Sequence, residues 1–174
     1  MIINITKKVL AMNKKVLVII IILAVISLTA IFALNSSNQD FDGLFTMDVP
    51  LGKHYSDTAY CRANGGLGSK CEYREDNAGC DIEEGDIVVY YYNTSLLTGG
   101  ESNALEHVLN GLTTSYFYQA SKEGDLIILT NDEDMKKMPP YLAGKSSENG
   151  DEVVFVGGRS LNDVKHYANT IEFK

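Results

Sequence analysis

Hydrophobic and polar positions divide the chain into one unbroken apolar run and a longer part in which the two are interleaved. Residues 16–34 (VLVIIIILAVISLTAIFAL) are nineteen uncharged residues in succession. As a helix rising 1.5 Å per residue, the run would be about 28 Å long, close to the hydrocarbon thickness of a bilayer. It predicts one transmembrane helix. A polar stretch at 35–40 then reads as a tether. Residues 44–49 mix large apolar and polar side chains before Pro50-Leu51-Gly52 closes the segment, as expected of a first strand. Residues 52–85 are rich in glycine and charge and offer at most two short strands, near 57–62 and 70–74. Residues 86–93 (DIVVYYYN) join β-branched and aromatic side chains without interruption, the pattern of a strand covered on both faces. This segment is the best candidate for the centre of a sheet.

The second half alternates helical and extended patterns. Asn103 and Glu106 form a capping box, and Leu105, Val108, Leu109 and Leu112 follow at helical spacing, with Gly111 where a C-terminal cap is expected. Residues 113–121 and 125–130 read as the strands of a hairpin joined by Lys122-Glu123-Gly124. The polar stretch 131–150, with Pro139-Pro140 inside it, predicts a long surface loop, and 152–156 a last strand. Ser160 and Asp163 make a second capping box, after which Leu161, Val164, Tyr167, Ala168 and Ile171 keep helical spacing to the end of the chain. The organisation expected is thus 1–15 cytoplasmic, 16–34 transmembrane, 35–40 tether and 41–174 a single α+β domain, with a mainly antiparallel sheet and two packed helices.

Charge sets the orientation. Lys7, Lys8, Lys14 and Lys15 all precede the apolar run, so the positive-inside bias places the N-terminus in the cytoplasm and the domain outside it. A cleaved signal peptide is the competing reading. The apolar run is longer than a signal peptide needs, however, and cleavage after Ala33 or Ala30 would leave Ile31 or Leu28 where a small residue is required. A start at Met12 in place of Met1 leaves the topology unchanged. All 23 acidic residues lie beyond the run with 11 of the 15 basic ones, giving that part a formal charge of −12. Such a surface repels nucleic acid and anionic headgroups. The partners expected are therefore the membrane, through one anchor, and a protein or envelope component. Sequons at Asn35 and Asn93 lie on the exported side.

The opening Phe45-Thr46-Met47-Asp48-Val49-Pro50 and the closing strand followed by a helix resemble the Mog1/PsbP-like fold. The same motif and the segment 153–173 are similar to small membrane-anchored proteins of uncharacterised function from methanogenic archaea. The resemblance implies binding and assembly roles, and it carries no catalytic residues with it.

Few side chains point to chemistry. Cys61, Cys71 and Cys80 fall close together in an exported segment, with His54 upstream. Export favours a disulfide between one pair of them, the pair left open by the sequence. A Cys₃His metal site or free thiols are the alternatives, but gaps of nine and eight residues do not match the close ligand pairs of structural zinc. Gly144-Lys145-Ser146 lacks the remaining glycine of a phosphate loop, and the carboxylates of Asp132-Glu133-Asp134 lack the spacing of a calcium loop. Neither a nucleophile elbow nor a zinc-protease motif occurs, so no catalytic residue and no cofactor is expected. Tyr90, Tyr92, Tyr116 and Tyr118 offer a ligand surface if alternate side chains share one sheet face, although core packing accounts for them equally. Two functions compete. One is a membrane-tethered extracytoplasmic binding domain without catalysis, and the other a metal- or redox-active domain using Cys61, Cys71 and Cys80 with His54.

Overall fold

A computed structural model describes residues 16–22, 36–65, 67–94, 103–133 and 136–174. Of the expected transmembrane run, residues 16–22 are helical and 23–34 lie outside the described residues. The same holds for 1–15 and Asn35. Among the described residues no helix is long and apolar enough to cross a membrane.

The remainder is an α+β fold in which every strand pair is antiparallel. Its strands are β1 (Ser36–Phe41), β2 (Phe45–Pro50), β3 (Tyr55–Asp57), β4 (Cys71–Glu75), β5 (Ile87–Asn93), β6 (Gln119–Glu123), β7 (Leu126–Thr130), β8 (Tyr141–Ser146), β9 (Glu152–Gly158) and β10 (Glu172–Phe173). Helix α1 (Ala59–Gly65) stands between β3 and β4, α2 (Ala104–Ser115) between β5 and β6, and α3 (Leu161–Asn169) between β9 and β10. A seven-stranded sheet runs in the order β3-β4-β5-β9-β8-β7-β6, and a three-stranded sheet in the order β1-β2-β10. The chain builds β3 to β5 from one edge, crosses by α2 to the opposite edge, and returns through β6, β7 and β8 to lay β9 beside β5. β9 is the central strand. β5 is its inner neighbour and is buried on both faces, as its uninterrupted apolar run requires.

Two cores follow from this sandwiching. Alternate residues of β5 divide between them: Val89 and Tyr91 pack with Phe41, Phe45 and Met47 of the small sheet and Val164 and Ala168 of α3. Val88, Tyr90 and Tyr92 pack with Val108 and Leu112 of α2 and with Leu67, Ile82 and Met138 from the connections.

Several elements depart from the sequence reading, each for a local reason. Residues 36–40, read as part of the tether, belong to β1, and Gln39 lends both amide atoms to the backbone of Tyr55, tying the small sheet to the edge strand β3. Most of 57–62 is α1, not strand. Thr58 starts it, its N–H and hydroxyl both donating to the Glu72 carbonyl while its own carbonyl accepts from Arg62 N–H. α2 passes through Gly111 to Ser115, and in its last turn the hydroxyls of Thr113 and Thr114 donate back to the carbonyls of Leu109 and Asn110 at 2.8 and 2.6 Å. Within 131–150, expected as loop, lies β8. Finally, α3 ends at Asn169, where the Thr170 hydroxyl donates to Tyr167 O at 2.7 Å and accepts from Asp48 N–H at 2.9 Å. The chain then turns into β10, pairing Phe173 with Phe45.

Candidate functional site

The sequence of β4, Cys71-Glu72-Tyr73-Arg74, alternates in the manner of a strand with one wet face. Its polar face is nevertheless covered. α1 packs against β4, and the connection 76–86 folds over it, with the Gly79 carbonyl accepting from Arg74 Nη1 at 3.4 Å. Arg74 Nε donates to Glu72 Oε1 at 2.8 Å, and the two side chains are 6% and 0% exposed. Directly across the strand pair from Glu72 stands Tyr90. The second carboxylate oxygen of Glu72, the hydroxyls of Tyr90 and Tyr92 and the hydroxyl of Ser69 are buried without a hydrogen-bond partner. Burial, with the Glu72 carboxylate next, holds the Tyr90 hydroxyl protonated well above its ordinary range. In Tyr92 the same effect again comes first from burial. Among the described residues these four atoms, Glu72 Oε2 and the hydroxyls of Ser69, Tyr90 and Tyr92, are buried polar groups left unmet.

Tyr92 leads from that stripe to a cavity. Under α2, Leu67, Gly68, Tyr92, His107, Val108, Gly111, Leu112 and Tyr116 line a pocket of about 140 Å³. The walls are apolar or aromatic, His107 lies exposed at the rim, and Gly111 supplies a gap in the helix surface where an added Cβ would meet nothing within 4 Å. Helix α2 is held at the correct depth by its capping Asn103, which accepts from Glu106 N–H at 3.0 Å, and by the Gly150 carbonyl, which accepts from Ala104 N–H. Of the four tyrosines singled out from the sequence, Tyr90, Tyr92 and Tyr118 are core residues on this face with Tyr116 packed beside them, and only Tyr92 and Tyr116 reach the pocket. The Tyr118 hydroxyl is committed to the Pro139 carbonyl.

The cysteine group separates. Cys71 points to the opposite core with Tyr73 and Tyr91, as the period of the strand demands. Cys61, buried in α1, and Cys80, half-buried in the 76–86 connection, lie near each other, Cys61 being the first cause that holds the Cys80 thiol protonated above its usual range. All three sulfurs are free thiols. His54 lies elsewhere, exposed and paired with Asp76 at 3.0 Å. Among the described residues no three His, Cys, Asp or Glu side chains converge as a metal site requires.

An acidic groove of about 320 Å³, between Glu75, Asp76, Asp81, Glu83 and Asp86, lies nearby. Its carboxylates are partly spoken for: Glu75 by Lys53 at 2.6 Å, Asp76 by Ser56 at 2.7 Å, and Asp86 by the Glu83 N–H at 2.9 Å. Asn131 is similarly structural, bonded to Tyr116 O and Glu133 N–H. The Asn93 amide donates to the Tyr91 hydroxyl at 3.0 Å.

Compared with protein-family models, with curated proteins and with solved structures, the chain matches none. The reading of the site therefore rests on its geometry.

Glu72 and Arg74 were not legible as site residues beforehand. Their alternation with Cys71 and Tyr73 is the ordinary signature of a solvated face, and the only hint was the charged pair standing opposite the uninterrupted Val88-Val89-Tyr90 run.

Proposed function

We propose that the chain is a membrane-tethered extracytoplasmic binding domain, without catalytic activity, which takes one ring-sized group into the pocket beneath α2. The observation that carries this is the pocket itself, a cavity of about 140 Å³ walled by Leu67, Val108, Leu112, Tyr92 and Tyr116. The volume suits such a guest, since apolar cavities of about 150 Å³ accept a benzene ring. A single aromatic ring, free or as a side chain of a partner protein, meets that requirement.

The location rests on the apolar run 16–34 and the lysines before it. Membranes washed at high pH should retain the full chain, and protease added to intact cells should remove the domain. For the pocket, 4-methylphenol titrated into the detergent-solubilised full chain should shift the amide resonances of Leu67, Gly68 and Gly111. Gly111→Leu, which fills the gap, should abolish the shifts. No shift at these residues, or shifts indifferent to Gly111→Leu, would remove the pocket from the proposal.

A further inference from the structure

The polar face of β4 is covered by two segments that carry one thiol each. Thr58, bonded through its N–H and hydroxyl to the Glu72 carbonyl, fixes the start of α1 on the strand, and Cys61 follows within the first turn. From the other side, Arg74 Nη1 donates to the carbonyl of Gly79, the residue before Cys80, and the connection is fastened further along where Ile82 N–H donates to Lys136 O and Arg159 Nε to Ile82 O at 2.6 Å. One anchor is the Glu72 backbone carbonyl and the other the Arg74 side chain, two residues on along the same face of one strand. They set Cys61 and Cys80 over that face, near enough for Cys61 to act on the ionisation of the Cys80 thiol, while the pleat sends Cys71 through the sheet to the other core.

We infer that Cys61 and Cys80 are a dithiol–disulfide pair, a redox site in which Cys80 is the entry sulfur and Cys61 the resolving one, with Cys71 taking no part. Exposure assigns the roles. Cys80 is half-buried and reachable by a small reagent, whereas Cys61 is 6% exposed. The oxidant is a low-molecular-weight disulfide. The Cys80 thiolate attacks one of its sulfurs, breaking that S–S bond and releasing one thiolate; the Cys61 thiolate then attacks Cys80 Sγ, breaking the mixed disulfide and releasing the second. Two protein thiols are oxidised, one small disulfide is reduced to two thiols, and the two protons lost by the protein finish on them. The hydrogen bond to Cys61 comes first, then burial, in keeping the Cys80 thiol protonated above its usual range, with Arg74 and Lys137 pulling the other way. Exchange should therefore quicken as the pH is raised. The bond formed would tie α1 to the 76–86 connection across the buried Glu72–Arg74 pair. This site stands apart from the pocket under α2 and does not depend on it.

The test uses the full chain in detergent, equilibrated with oxidised and reduced glutathione at several ratios, quenched by alkylation and digested for mass spectrometry. The expected result is a Cys61–Cys80 linked peptide that appears and disappears reversibly with the ratio, and Cys71 alkylated only after unfolding. In Cys61→Ser, glutathione should remain trapped on Cys80, because the resolving sulfur is gone. The mapping on the unaltered chain needs no variant to fold. A linkage that includes Cys71, a disulfide between two chains in place of one within the chain, or three free thiols at the most oxidising ratio would overturn the inference.

Discussion

Arg74 Nε reaches Glu72 Oε1 at 2.8 Å from two residues along the same strand, and neither side chain meets solvent to any extent. An i, i+2 pair on a strand shares one face, so the two charges are held together by β4 itself before any tertiary contact forms. Burial alone would depress the ionisation of a guanidinium. The Glu72 carboxylate outweighs it, and Arg74 stays charged. Removing one partner leaves the other charge in a dry core. Arg74→Met is expected to cost about 3–5 kcal/mol of unfolding free energy, measured by denaturant titration, and the double change Glu72→Leu with Arg74→Met to recover much of that loss. A single variant as stable as the native chain would show that the pair is hydrated in solution.

The tyrosines of this face separate into two classes by what their hydroxyls touch. Tyr118 donates to the Pro139 carbonyl, so Tyr118→Phe orphans a buried acceptor and should cost about 1–2 kcal/mol. Tyr90 has a buried hydroxyl with no partner, so Tyr90→Phe should be neutral or mildly stabilising. Equal losses in the two variants, in the same denaturant experiment, would mean that Tyr90 is satisfied by water.

Alkaline pH should unfold the domain through its tyrosines. Burial holds Tyr90 and Tyr92 protonated far above the ordinary range, and burial followed by the bond to Glu152 pushes Tyr91 up to about 12. In the unfolded chain these groups ionise near pH 10, so the folded state keeps its full stability below about pH 10 and loses it as the pH rises further. Ultraviolet tyrosinate absorbance should grow in one cooperative step together with loss of the far-ultraviolet dichroism. Stepwise ionisation with the dichroism intact would refute the assignment of these three residues to the core.

How much of this was legible depended on whether the local pattern and the tertiary environment agreed. The strand 86–93 and the N-caps Asn103 and Ser160 carry their signals within a few residues and appear in β5, α2 and α3, and the hairpin turns at Gly124 as expected, although its first strand is 119–123 because 113–115 belong to α2. α1 buries only Cys61, so it shows no apolar periodicity at all. β10 is two residues long and exists because β2 offers it an edge. The site suffered most: Cys61 and Cys80 are set over one face of β4 by bonds to the Glu72 carbonyl and from the Arg74 side chain, which no spacing of cysteines encodes, and the pocket arises where a helix crosses Tyr92.

β8 was hidden by the polar residues around it and by Pro139-Pro140 just before it, and it holds a glycine that its neighbour requires, which yields a contrast between two glycines of the domain. In β8, Gly144 lies opposite Phe155, and a Cβ there would fall 2.2 Å from the Val154 carbonyl oxygen and 2.5 Å from the Phe155 ring. The backbone atom belongs to the central strand and has nowhere to go, so Gly144→Ala must pry β8 from β9 and should cost at least about 3 kcal/mol, beyond most overpacking substitutions. Gly111, in the middle of α2, faces open space, and Gly111→Ala should instead stabilise by about 0.5–1 kcal/mol through the helix propensity of alanine. Both are read as shifts in the denaturant midpoint of the full chain. Loss of stability in Gly111→Ala, or tolerance of Gly144→Ala, would contradict the packing of α2 or the β8–β9 register on which the description of the domain depends.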